Sequence, residues 1–174
     1  MPGDLWVDES VAGPVVVPPD AAGTTVLYLP DAPDAEVPSA DTMATARELA
    51  QRTGATVVVC RYRPAFRPGF SEYVLPAYRY CQAMGDVVLV GERMGATLAA
   101  ALLVQLRDWG APAPRRASLV SGLLDLTLQS NSVTLNVRPD PAYDADDLRS
   151  RVAGYAGGAR LTDPLLSPLY ANLV

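Results

Sequence analysis

The chain has 174 residues, 49% of them hydrophobic and 19% charged, with a formal net charge of −5. That length and apolar content suit one globular domain, residues 1–174, with wholly buried strands. Scattered Arg residues on an acidic chain exclude the basic stripe that nucleic acid requires. No apolar run approaches the roughly 18 residues of a membrane span and no signal peptide is visible, so a cytoplasmic protein is expected.

Residues 5–8 read as a weak edge strand, and residues 14–18 and 24–29 as two short strands joined by a turn at Pro19-Asp20-Ala21-Ala22-Gly23. The Pro/Asp/Ala-rich stretch 30–40 is a loop. Asp41 is the expected N-cap of a helix running to Arg52, with Gly54 as its stop. Residues 55–60 form a continuous β-branched run, the mark of a strand buried on both faces. Pro64 and Pro68 make the next stretch irregular, and a helix over 72–83 carries Pro76 in its first turn. A strand at 86–90, a helix over 96–109 ended by Gly110 and Pro112, and a strand at 116–121 follow. Residues 148–155 are a further short helix. Strands separated by helices of about 12 residues predict βαβ units and a mostly parallel sheet. Cys60 and Cys81 lack CxxC spacing and read as reduced core thiols, so no metal site is expected; no cofactor is expected either.

The most informative stretch is Gly91-Glu92-Arg93-Met94-Gly95. It lies between an apolar strand and a helix, the setting in which a Gly-x-x-x-Gly turn presents a catalytic serine at the top of an α/β-hydrolase sheet. The central residue here is Arg93, and the chain has no histidine.

From residue 24 to residue 173 the chain resembles the hormone-sensitive-lipase branch of α/β-hydrolase carboxylesterases. Val26-Leu27-Tyr28-Leu29 is similar to the strand entering that family's His-Gly-Gly-Gly oxyanion loop. Val59-Cys60-Arg61-Tyr62-Arg63-Pro64 is similar to Asp-Tyr-Arg-Leu-Ala-Pro, and Gly91 to Ala96 to Gly-Asp-Ser-Ala-Gly-Gly. Leu123-Leu124-Asp125-Leu126-Thr127 and Asp163-Pro164-Leu165-Leu166-Ser167-Pro168-Leu169-Tyr170 resemble two further family blocks, in the same order and at similar spacing. The resemblance implies a shortened α/β-hydrolase fold: a mostly parallel central sheet flanked by helices.

The departures from the family pattern bear on chemistry. A guanidinium stays protonated and cannot accept an acyl group, so Arg93 cannot replace the serine. Pro30-Asp31-Ala32-Pro33 stands where the resemblance places the oxyanion loop. The chain ends at Val174, just before the strand after which the family places its aspartate and histidine. Hydrolysis by the family mechanism is therefore not expected.

Two roles are open to Arg93: a fixed cation for a carboxylate, enolate or phosphate group of a ligand, or an ion pair with Glu92 or Asp31. Asp31 and Asp34 are candidate acid–base groups or solvated loop carboxylates. Glu92, Met94 and Tyr62 are candidate ligand contacts. For Glu92 and Tyr62 the alternative is a purely structural role, for Tyr62 within a tyrosine cluster with Tyr73, Tyr78 and Tyr80. Asp125 reads as structural, and Asp144-Ala145-Asp146-Asp147 as a solvated helix start.

Two functional classes follow. One is a small-molecule-binding protein or a cyclase, dehydratase or isomerase of specialised metabolism that uses the former hydrolase pocket. The other is a pseudo-hydrolase scaffold acting through the edge strand 116–121, as a homodimer or with a protein partner, unless residues 133–174 fold back over that edge with 133–137 as a replacement strand.

Overall fold

The computed structural model describes residues 5–31, 36–66, 69–130 and 145–172. Six strands form one sheet: β1 (Trp6–Ser10), β2 (Gly13–Val17), β3 (Thr24–Leu29), β4 (Thr56–Val59), β5 (Asp86–Glu92) and β6 (Arg116–Val120). Their order across the sheet is β1-β2-β4-β3-β5-β6. The pairs β3–β4, β3–β5 and β5–β6 are parallel, while β1–β2 and β2–β4 are antiparallel. The mostly parallel sheet expected from the strand–helix alternation is present. The turn after β2 does not close a hairpin, because β4 inserts between β2 and β3. The β-branched run Thr56-Val57-Val58-Val59 is buried on both sides and so claims the inner position.

Among the described residues, four α-helices flank the sheet: α1 (Ala40–Thr53), α2 (Leu75–Met84), α3 (Met94–Asp108) and α4 (Ala145–Ala156). α1 begins two residues earlier than expected. Its N-cap is Ser39, whose side chain accepts a hydrogen bond from the Thr42 amide at 3.2 Å, and Asp41 sits in the first turn, where its charge suits the helix dipole. Gly54 closes the helix in the left-handed conformation at φ 67°, as the glycine in that position requires. A π-helical turn, Gly69–Val74, precedes α2, and Pro76 lies in the first turn of α2.

Strand alternation sorts the core onto the two faces of the sheet. Val26, Tyr28, Val57 and Val59 pack under α1 with Ala46 and Ala50. Leu27, Leu29, Val58, Cys60 and Leu89 point to the other face, against α2, α3 and α4. α4 is tied into this second layer by Val152, Tyr155 and Ala156, with Phe66 edge-on to Tyr155 at a ring separation of 6.4 Å. After α4 the chain is anchored by Ser167, fully buried, whose hydroxyl accepts from the Leu126 amide at 2.8 Å and donates to the Leu161 carbonyl at 2.6 Å. Arg107 also donates to the Asn172 carbonyl.

Among the described strands β6 lies at the end of the sheet, and all five of its residues are exposed. The expected replacement strand at 133–137 lies outside the described residues. Among the described residues, no helix is long and apolar enough to cross a membrane.

Candidate functional site

The strand order places the site. Chain connections run outward in opposite directions from β3 and β5, so a crevice opens beyond the carboxyl ends of these two neighbours, the usual ligand position in open α/β sheets. Asp31 lies two residues beyond the end of β3, and Arg93 directly follows β5.

The turn at Arg93 has the geometry of a nucleophile elbow. Arg93 sits at φ 48°, ψ −108°, in a region a side chain rarely adopts, between the last residue of β5 and the first of α3. Two glycines permit the tight passage. A Cβ on Gly91 would lie 2.6 Å from the Ala96 Cα, and one on Gly95 would lie 2.5 Å from the Pro30 carbonyl oxygen. The turn is held from both flanks. The Arg93 amide donates to the Val120 carbonyl at 2.8 Å, and the Thr97 hydroxyl donates to the Leu123 carbonyl at 2.8 Å. The strain is therefore fixed by hydrogen bonds from β6 and the segment after it.

Asp31 and Arg93 come together across this crevice. One carboxylate oxygen of Asp31 accepts from the Met94 amide at 3.4 Å, and the other lies 3.9 Å from an Arg93 Nη. The amide after the elbow's central residue is the group that in hydrolases of this design stabilises a developing oxyanion. Here a carboxylate of the same chain sits on it. The Arg93 side chain is 73% exposed and that of Asp31 29%, so the ion pair is screened and worth at most about 1 kcal/mol.

The remaining sequence-derived candidates lie beneath this point. Glu92 accepts a 2.6 Å hydrogen bond from the hydroxyl of Tyr28, a side chain 1% exposed, and so braces β5 against β3. Met94 is buried and offers the site its amide. Tyr62 is fully buried and its hydroxyl donates to the Pro30 carbonyl at 2.6 Å. Burial, with smaller contributions from Cys60 and Asp31, raises its ionisation well above the ordinary tyrosine range. Tyr62 thus supports the residue before Asp31 from below. Asp34 lies outside the described residues. Asp125 accepts from the amide and hydroxyl of Thr127, at 2.9 and 2.7 Å, and shapes the loop after β6.

Ser121 was not singled out from sequence. It is exposed, immediately follows the Val120 carbonyl that holds Arg93, and has φ 53°. Only the Ser-Gly pair after a strand hinted at such a turn. A separate cleft of about 470 Å³, lined by Tyr78, Gln82, Asp86, Pro112 and Arg115 among others, opens at the amino end of β5, roughly 20 Å of strand away from the elbow. Among the described residues no group of three or more metal-ligating side chains occurs.

With this geometry in place, comparison with known proteins is informative. A family model described as alpha/beta hydrolase fold matches residues 35–174. The chain belongs to that family. It is 31% identical to an acetyl-hydrolase of Streptomyces hygroscopicus over 99% of this chain and 60% of the relative. It is 29% identical to an esterase of Acinetobacter venetianus over 72% of this chain and 44% of that one. Among solved structures, an esterase from the bacterial hormone-sensitive lipase family superposes with a TM-score of 0.82 at 29% identity, covering 98% of this chain and 62% of the other. The chain spans 44–62% of the length of these relatives.

Proposed function

We propose that this protein is a non-hydrolytic α/β-hydrolase homologue whose elbow binds a small molecule instead of forming an acyl intermediate. The observation that carries this reading is Arg93 itself. It takes up the strained φ/ψ of an elbow residue, and the hydroxyl that hydrolysis needs is replaced by a guanidinium. The second support is Asp31, whose negative charge on the Met94 amide opposes a developing oxyanion at that position. The relatives' hydrolase and esterase names describe the scaffold from which this site departs. Intact-mass analysis after treatment with a fluorophosphonate, a reagent for activated serines, tests the reading. The expected mass is that of the unmodified chain; a stoichiometric adduct would overturn it.

A second reading is favoured by one observation. β6 ends the sheet with five exposed residues, Leu119 and Val120 among them, and its outer edge pairs with no described strand. On this reading the protein acts as a scaffold that adds a strand at β6, forming a homodimer or a complex with another protein. Light scattering of the purified chain, with a Leu119→Pro variant that removes an outward-facing edge amide, tests it. A dimer that Leu119→Pro converts to monomer supports the reading, and a monomer at all concentrations opposes it.

A further inference from the structure

We infer that the elbow is a carboxylate site and that Asp31 is its built-in competitor. The inference rests on the non-hydrolytic reading above and names the ligand class and the regulation of the same site.

Two oxygens of one planar group define the site. One is received by the Met94 amide at the first turn of the 15-residue α3, the other faces the Arg93 guanidinium. A carboxylate fits both because its oxygens are coplanar and the guanidinium presents a matching fork. The internal carboxylate occupies this site imperfectly. Charge-assisted N–H···O contacts settle at about 2.7–2.9 Å, whereas the Asp31 contacts to Met94 and Arg93 are at 3.4 and 3.9 Å. Its backbone explains the gap. Asp31 directly follows Pro30, whose carbonyl is fixed by the Tyr62 hydroxyl, so the side chain reaches the elbow from a tethered position. An untethered carboxylate meets no such restraint.

Arg93 is built to receive it. Among the described residues its only ion pair is with Asp31, and nearly three-quarters of its side chain is exposed. The backbone beneath is locked by the Val120 carbonyl and by Gly95, so the point from which the Arg93 side chain projects is fixed. A small aliphatic carboxylate therefore enters by displacing Asp31 from Met94, and its affinity is lowered by the fraction of molecules in which Asp31 holds the site. The ligand class is a small organic carboxylate. An ester or a neutral amide offers only one of the two oxygens with charge and is excluded as the preferred ligand.

The test is a titration of the full chain with sodium butyrate, followed by the amide resonance of Met94 and by calorimetry, on the wild type, Asp31→Ala, Asp31→Asn, Arg93→Gln and Glu36→Gln. Glu36 is an exposed carboxylate of the same β3–α1 connection, paired with Arg63 at 3.6 Å, and controls for loss of charge alone. In the wild type butyrate moves the Met94 resonance. Asp31→Ala tightens binding by about tenfold as the competitor is removed, Asp31→Asn does so by less, Glu36→Gln leaves it unchanged and Arg93→Gln abolishes it. Butyramide at the same concentrations moves nothing. Equal affinities of wild type and Asp31→Ala, an equal gain in Glu36→Gln, or a silent Met94 amide in every folded variant would each overturn the inference. None of these outcomes depends on ester turnover, so the inference and the non-hydrolytic reading fail by different measurements.

Discussion

Replacing Gly95 with alanine tests whether the elbow is as tightly built as the structure shows. The added Cβ would lie 2.5 Å from the Pro30 carbonyl oxygen and 2.6 Å from the Leu29 carbonyl carbon, with the Leu29 oxygen nearer still. All three are backbone atoms, so no rotamer change relieves the clash. Restoring ordinary contact of about 3.5 Å requires the start of α3 and the end of β3 to part by more than about 1 Å. The Asp31–Met94 contact, already 3.4 Å, then lies outside hydrogen-bond range. Overpacking of this kind costs about 3 kcal/mol or more when rigid atoms are on both sides. For a chain of this size that lowers the thermal midpoint by roughly 6–12 °C. Gly110→Ala is the control: φ is +62° but nothing lies within 4 Å, so only the left-handed strain of about 1–2 kcal/mol applies. Scanning fluorimetry of both variants decides the matter. A Gly95→Ala protein melting within 2 °C of wild type, on the scale of roughly 2–4 °C per kcal/mol, would refute the close approach of β3 and α3.

Other substitutions probe the rest of the scaffold. Gly154 lies inside α4 with open space around it, so Gly154→Ala should stabilise the protein by about 0.5–1 kcal/mol in urea unfolding; destabilisation would contradict the helix. Ser167→Ala removes two buried hydrogen bonds that join the segment after α4 to Leu126 and Leu161, and should cost about 2–3 kcal/mol by the same assay. Burial pushes the Cys81 thiol from 9.0 up to about 12 and also raises Cys60, Tyr62 and Tyr155. The folded state holds these protons to higher pH than the unfolded chain does. Stability is therefore complete below about pH 9 and falls as pH rises from there toward 12, by about 1.4 kcal/mol per pH unit for each group in its window. An unfolding midpoint that stays flat to pH 11 would contradict this burial.

Much of the scaffold is legible in the sequence, for identifiable reasons. Residues 24–29 read as β3 residue for residue because the run Thr-Thr-Val-Leu-Tyr-Leu is bounded by Gly23 and Pro30. Gly54 marks the end of α1, and the Gly-x-x-x-Gly turn between an apolar strand and a helix marks the elbow. What is not legible depends on pairing between distant residues. The insertion of β4 between β2 and β3 is a choice of strand partners that local turn residues do not report. The Tyr28–Glu92 bond joins residues 64 apart. Asp41 and Ser39 are both good N-caps by type, and only the backbone at Ser39 decides between them. At the site, Arg93 and Asp31 are readable as candidates from their positions, but the seating of the Asp31 carboxylate on the Met94 amide joins residues 63 apart and depends on β3 and β5 being neighbours, which no local pattern reports.

The central claim is that an elbow carrying Arg93 no longer cleaves esters. Hydrolysis of p-nitrophenyl butyrate by the chain purified to homogeneity tests it most directly, with Arg93→Ala measured alongside. The account predicts a rate equal to the buffer blank for both proteins at every protein concentration. Turnover that rises in proportion to protein, and persists in Arg93→Ala, would contradict it.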